Sequence, residues 1–235
     1  MKLTWLGHSS FRVEVADSVV LVDPFLKGNP AFEASGLDWA AATAGATHVA
    51  LTHGHDDHVG DTVEICQTYG ATLVAVYELA LHLNGQGVEK FQPAGAGGTI
   101  TDGDVKFSLT DAVHSSSSNG VYLGNACGLI IRSAIERDGM PVLYHMGDTD
   151  VFPGMSLIAE LYKPTVGIVP IGDRFTMGAR TAAFACQTFF KFKHIVPCHY
   201  GTFPIIDPDA SKFTGAMDGQ PVHVPAIGEA VDVTN

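Results

Sequence analysis

The sequence predicts an α+β fold built as a four-layer αββα sandwich, with helices outside two facing sheets. Three observations support this. Strand-like runs recur in both halves of the chain, helical candidates fall among them, and no stretch rich in Ser, Pro or charge separates the halves. One domain spanning residues 1–235 is therefore expected, a comfortable length for a layered core. Hydrophobic residues make up 46% and charged residues 16%, which excludes a disordered chain, and 26 Gly with 12 Pro imply many turns between short elements.

Residues 2–23 read as β. Phe11, Val13 and Val15 alternate with Arg12 and Glu14, and the run 19–22 ends at Asp23-Pro24, as in an antiparallel meander. Residues 25–45 read as a connection with one short helix near 37–42. A buried strand is expected over 48–52. Asp57 then heads a helix with Val59, Val63, Cys66 and Tyr69 on one face and Gly70 as its stop. Residues 72–76 read as a strand, 77–83 as a short helix and 93–98 as a loop. Further strands are expected at 104–110, 122–124, 128–132, 141–146 and 165–170, and helices at 155–162 and 179–190. Strands at 194–198, 222–224 and 230–233 complete the chain.

The formal net charge of −12 argues against general binding to nucleic acid or an anionic membrane, which needs clustered Lys and Arg. Cys66, Cys127, Cys186 and Cys198 are scattered, with no Cys-x-x-Cys pair, and read as core thiols of a reducing compartment. The first residues carry no apolar signal segment, and no apolar run approaches the ~20 residues that span a bilayer. A cytoplasmic protein acting on a small molecule, with no nucleic-acid or membrane partner, is the expectation; self-association as a homo-oligomer suits a chain this apolar.

The chemistry concentrates in Thr52-His53-Gly54-His55-Asp56-Asp57-His58, directly after the strand at 48–52. Imidazoles and carboxylates together suit divalent transition metals. His53 and His55, two apart in an extended segment, point the same way and can grip one ion, while Asp57 and His58 can turn toward a second. A solvated polar turn would not need repeated imidazoles at this spacing. Three more donors, His114, Asp148 and His199, each follow an apolar run where it meets a Gly- or Ser-containing loop.

With these residues the chain resembles the metallo-β-lactamase-fold hydrolases, the superfamily of glyoxalase II, ribonuclease Z and ascorbate-6-phosphate lactonase. The H-x-H-x-D-H signature is complete, and the later His, Asp and His follow in order. Trp5-Leu6-Gly7-His8-Ser9, Val22-Asp23-Pro24, Gly147-Asp148-Thr149 and His199-Tyr200-Gly201-Thr202 look most like the small lactonase-like branch. The resemblance implies that His53, His55 and His114 hold one metal, that Asp57, His58 and His199 hold a second, and that Asp148 bridges both. Flavodiiron oxidoreductases differ by a carboxylate where His55 stands, and ribonuclease Z adds an arm for transfer RNA that this chain lacks.

The implied chemistry is metal-assisted hydrolysis. Two divalent ions about 3.5–4 Å apart can share a water and lower its pKa from 15.7 toward ~7, giving a metal-bridged hydroxide. The expected substrate is a small carbonyl compound: a lactone, ester, thioester or amide. A phosphodiesterase or nuclease is the alternative on the same centre, and a metal-binding module without turnover is the reading from outside the enzymes. Zinc is expected first, and manganese, nickel and iron accept the same ligands. Asp57 is a candidate for orienting the nucleophile. His8, at a Gly-His-Ser turn, is read as an outer-shell or substrate-facing catalytic imidazole, against a plain hydrogen-bonded turn residue.

Substrate selection is assigned to the Ser115–Ser118 run, to the loop with Arg174, Phe175 and Met177, and to Phe203. Arg174 would bind a carboxylate or phosphate, although a surface ion pair explains it equally. Met177, Phe175 and Phe203 more often mean packing than recognition; as a pocket rim they would suggest a small, partly apolar substrate. His145 is read as a packed residue or a bond to a ligand, and Asp23 as a turn residue or a bond to a ligand imidazole. His48, His82, His194 and His223 are read as structural.

Overall fold

The computed structural model describes residues 1–135 and 137–234. The chain opens with the expected meander, β1 (Lys2–Trp5), β2 (Phe11–Val15) and β3 (Ser18–Val22). It continues through α1 (Pro30–Ser35), α2 (Trp39–Thr43), β4 (His48–Ala50), α3 (Asp56–Val59), α4 (Thr62–Tyr69), β5 (Thr72–Val76), α5 (Tyr77–Asn84) and β6 (Phe91–Ala94). The second half comprises β7 (Thr99–Asp102), β8 (Val105–Asp111), β9 (Ser117–Ser118), β10 (Val121–Tyr122), β11 (Cys127–Ser133) and β12 (Leu143–His145). After these come α6 (Met155–Tyr162), β13 (Val166–Pro170), α7 (Ala179–Phe189), β14 (His194–Cys198), α8 (Ser211–Ala216) and β15 (Ala230–Asp232).

Among the described residues a seven-stranded sheet runs β15-β1-β2-β3-β4-β5-β6 and a six-stranded sheet runs β14-β13-β12-β11-β8-β7. With the helices these are the layers of the αββα sandwich. β15 returns from the end of the chain to pair with β1, Leu3 opposite Val231. The core lies between the sheets, where Phe11, Phe107 and Leu129 are fully buried, and continues on the outer face of the second sheet, where the buried Tyr144 ring meets Phe190 at 5.6 Å. Each large apolar side chain buried there stabilises the fold by about 1.5–3 kcal/mol before entropy is counted.

The strand directions place the functional loops. β1, β3 and β4 run the same way in the first sheet, and β8, β12 and β14 do so in the second. His8, Asp23, the 53–58 stretch, His114, Asp148 and His199 all follow the carboxyl ends of those strands.

Several elements depart from the sequence reading. The helix expected from Asp57 to Gly70 is two helices broken at Gly60, which sits at φ 39°; a Cβ there would lie 2.5 Å from both the Pro24 carbonyl oxygen and Phe25 Cα. Beyond the break, Asp61 Oδ2 accepts from the Leu26 and Lys27 N–H groups at 3.0 and 2.9 Å, tying this turn to the loop after β3. α1 arises inside the presumed connection, with Asn29 capping the Ala31 and Phe32 N–H groups and Gly36 closing it in the left-handed region. The 93–98 loop is partly β6, where Pro93 is tolerated because the strand lies at the sheet edge. The strand at 222–224 is a single bridge between Ile195 and Val222. β7 and α8 had no counterpart in the reading. No helix among the described residues is long and apolar enough to cross a membrane.

Candidate metal centre

The loops after the strands bring three groups of donors together. His53, His55 and His114 form one; His8, Asp57, His58 and His199 form another; His53, His58 and Asp148 form a third between them, with the donor atoms of each group within 4.8 Å of one another. Every residue expected to ligate thus reaches the cluster. Asp148 lies at its centre, 3.0 Å from His199 Nε2, 3.4 Å from His58 Nε2 and 3.6 Å from His114 Nε2.

Asp23 orients two of these imidazoles. Its Oδ2 accepts from His58 Nδ1–H at 2.8 Å and from the Thr52 hydroxyl at 2.7 Å, and its Oδ1 accepts from the Thr52 N–H at 2.8 Å. The Thr52 proton is therefore committed to Asp23, so the Thr52 oxygen, 2.9 Å from His53 Nδ1, accepts that nitrogen's proton. His53 Nε2 is left as a lone pair, 3.0 Å from His55 Nδ1. Asp23 holds this posture at φ 45°, its carbonyl accepting from Ser10 Oγ at 2.6 Å. The bond from Asp23 to an imidazole of the donor cluster is thus realised.

The donor set fits a cation. His58 Nε2 and Asp148 Oδ1 are buried and form no well-aligned hydrogen bond among the described residues, although buried polar atoms are normally paired. Burial opposes charge on His58, yet Asp148, Asp23 and Asp57 raise its pKa well above the usual imidazole range. The pocket therefore calls for positive charge at this point. Burial likewise opposes ionisation of Asp148, but His199 and His58 hold it well below the usual carboxylate range. His53, His55 and His114 are shifted downward, chiefly by burial, which keeps their nitrogens available as ligands.

His8 is fully buried, and burial lowers its pKa to about 4. Its Nε2 lies 3.1 Å from Asp57 Oδ2 and its Nδ1 lies 3.0 Å from Thr202 Oγ1. An ionised Asp57 needs a donor, so Nε2 carries the proton and Nδ1 accepts from Thr202. This geometry matches the outer-shell half of the expectation. His8 has no exposed surface, and both its ring nitrogens are engaged. Burial pushes the Asp57 carboxyl up, but His58 and His8 more than offset this and hold it below its usual range. Asp57 keeps 31% of its side chain exposed, at the mouth of the cluster.

The serine run differs from expectation because it braces the metal loop. Ser115 Oγ lies 3.3 Å from His55 Nε2, Ser116 Oγ accepts from the Gly54 N–H at 3.0 Å, and Ser118 Oγ donates to Asp56 at 2.6 Å. Met177, read as packing or as a pocket rim, is 1% exposed in the core, its N–H donating to the Thr149 carbonyl. Arg174 is exposed at φ 45° with its guanidinium 5.7 Å from the centre of the Phe175 ring, and no hydrogen bond or ion pair joins it to the cluster among the described residues. His145 donates to the Ser9 carbonyl and accepts from the Gly147 N–H, both at 3.1 Å, so it shapes the turn before Asp148 without touching a ligand imidazole. Thr52, Thr202 and Ser10 were not anticipated, because their hydroxyls look in the sequence like those of any polar loop residue.

A family model described as a beta-lactamase superfamily domain matches residues 2–199. The chain belongs to that superfamily. A UPF0173 metal-dependent hydrolase of Methylocella silvestris is 54% identical over 234 residues, covering 97% of this chain and 98% of the relative. A protein of the same description from Brucella anthropi is 54% identical over 222 residues, 92% of each chain. Among solved structures, Igni18, a metallo hydrolase of the archaeon Ignicoccus hospitalis, superposes with a TM-score of 0.85 at 32% identity, covering 98% of this chain and 97% of its own. The two relatives and Igni18 match 92–98% of this chain, so the likeness extends over both sheets.

Proposed function

We propose that the chain, a metal-dependent hydrolase of the metallo-β-lactamase fold, cleaves a small carbonyl substrate, a lactone, ester, thioester or amide, at a dinuclear centre. The observation that carries this reading is the pair of donor groups, His53/His55/His114 and Asp57/His58/His199, with Asp148 between them. Divalent ions held there, zinc first and manganese, nickel or iron as alternatives, supply Lewis acidity and an activated water at neutral pH. The remaining work falls to the chain. Asp57, at the mouth, orients the attacking water. His8 Nε2–H on Asp57 Oδ2 fixes that carboxylate's rotamer and keeps it ionised, and Thr202 fixes the tautomer of His8. Asp23 and Ser115 hold the outer nitrogens of His58 and His55 so that their inner nitrogens converge.

Lactones, thioesters and bis-p-nitrophenyl phosphate assayed with zinc, manganese and nickel separate carbonyl from phosphoryl chemistry. Turnover of a lactone or thioester, lost together with bound metal in His55→Ala and Asp148→Ala, is the expected result. Full activity in a verified metal-free preparation contradicts the reading.

A further inference from the structure

Phe25 and Phe203 come from the loops after β3 and β14 and meet beside the metal centre. Their rings are nearly parallel, 26° between planes, with centroids 6.4 Å apart. Both meet His8 edge-on, at 6.2 and 5.3 Å. Both remain partly exposed, although His8 behind them is fully buried.

The backbone of Phe25 is unusually well fixed for a loop residue. Its N–H donates to Ser10 Oγ at 3.0 Å and its carbonyl accepts from Asn29 Nδ2 at 3.0 Å. The next two N–H groups both donate to Asp61 Oδ2. Phe203 sits in a compact turn, its carbonyl accepting from the Ile206 N–H at 3.2 Å while the Gly201 N–H donates to the Asp207 carbonyl at 2.9 Å. The fold thus fixes the backbones that carry two partly exposed rings, and both rings pack against His8, whose Nε2 meets Asp57 at the cluster.

We propose that Phe25 and Phe203 form the recognition wall for an aryl substituent of the substrate. This rests on the site reading above and narrows its substrate class to aryl-bearing lactones, esters or thioesters. Two fixed ring faces accept a flat apolar group by offset stacking or edge contact. The polar centre beside them sets the orientation of the reacting carbonyl, the usual division of labour in a small-molecule site. A wall serving only to keep water from His8 would be indifferent to what the ligand carries.

Calorimetric titration of the zinc-loaded protein with two probe pairs separates these duties: acetate against phenylacetate, and methylphosphonate against phenylphosphonate. The phenyl member of a pair is expected to bind about tenfold more tightly, the scale of partly burying one ring. Phe25→Leu and Phe203→Leu keep apolar volume at the wall, so each is expected to cut that preference to about threefold or less, with the methyl probes within about twofold of wild type. A preference confined to the phosphonates, with no lactone or thioester turnover, supports the wall and removes the carbonyl chemistry instead. Equal affinities within both pairs, a preference unchanged in both variants, or no binding of either pair overturns the proposal.

Discussion

Replacing Asp23 by Asn would test how the centre is held together. The carboxylate receives three donors at 2.7–2.8 Å: the Thr52 N–H, the Thr52 hydroxyl and His58 Nδ1–H. An asparagine cannot serve all three donors: with its carbonyl at the Oδ1 position its NH₂ faces two of them, and turned over its NH₂ faces the Thr52 N–H. Each buried donor left unpaired costs about 1–3 kcal/mol, so the metal-free protein should lose at least about 1–3 kcal/mol of stability before relaxation. In either orientation His58 loses the carboxylate charge that aims Nε2 at Asp148. Removing such an outer partner typically weakens metal binding 10–100-fold. Chelator competition for zinc and urea unfolding of the metal-free protein measure the two effects. A zinc affinity within about threefold of wild type, with an unchanged urea midpoint, would refute the reasoning, since the expected loss is at least tenfold.

Other perturbations follow from the same geometry. His8→Gln is expected to keep its metal and lose more than ~100-fold in kcat, whereas a change within about threefold would return His8 to a plain turn residue. Gly60→Ala should destabilise the protein by more than ~1 kcal/mol, because it combines a positive φ with a Cβ 2.5 Å from the Pro24 carbonyl oxygen; an unchanged melting temperature would show that the break between α3 and α4 relaxes freely. Burial lowers the pKa of His145, so the folded state binds fewer protons there than the unfolded state. The stability this group contributes is present above the unfolded value of 6.5 and is lost as pH falls below it. His145→Gln should therefore flatten the fall in urea midpoint below that pH, and an identical slope in both proteins contradicts the assignment.

The donors that converge in the cluster were legible in the sequence because each combines a metal-competent side chain with a strand end. Periodicity located β5, α6, α7 and β14 for the same reason: their apolar patterns are long enough to be unambiguous. The supports were less legible. Whether Ser115 selects substrate or braces His55 depends on the path of the β9–β10 hairpin, which a run of four serines does not specify. Asp23 offered two readings, a turn before Pro24 and a bond to an imidazole, and only the packing of β3 against β4 decides between them. The helix break at Gly60 follows from a close approach of the loop after β3, a contact remote in sequence. β7 and α8 were missed because their polar composition carries no clear period, and β6 because Pro93 argues against a strand unless its edge position is known.

Whether the seven side chains hold two ions can be seen by anomalous diffraction at the zinc edge from crystals grown with zinc. Two peaks are expected, one within bonding distance of His53, His55 and His114 and the other of Asp57, His58 and His199, with Asp148 touching both. A single peak, or peaks away from Asp148, would contradict a two-ion centre.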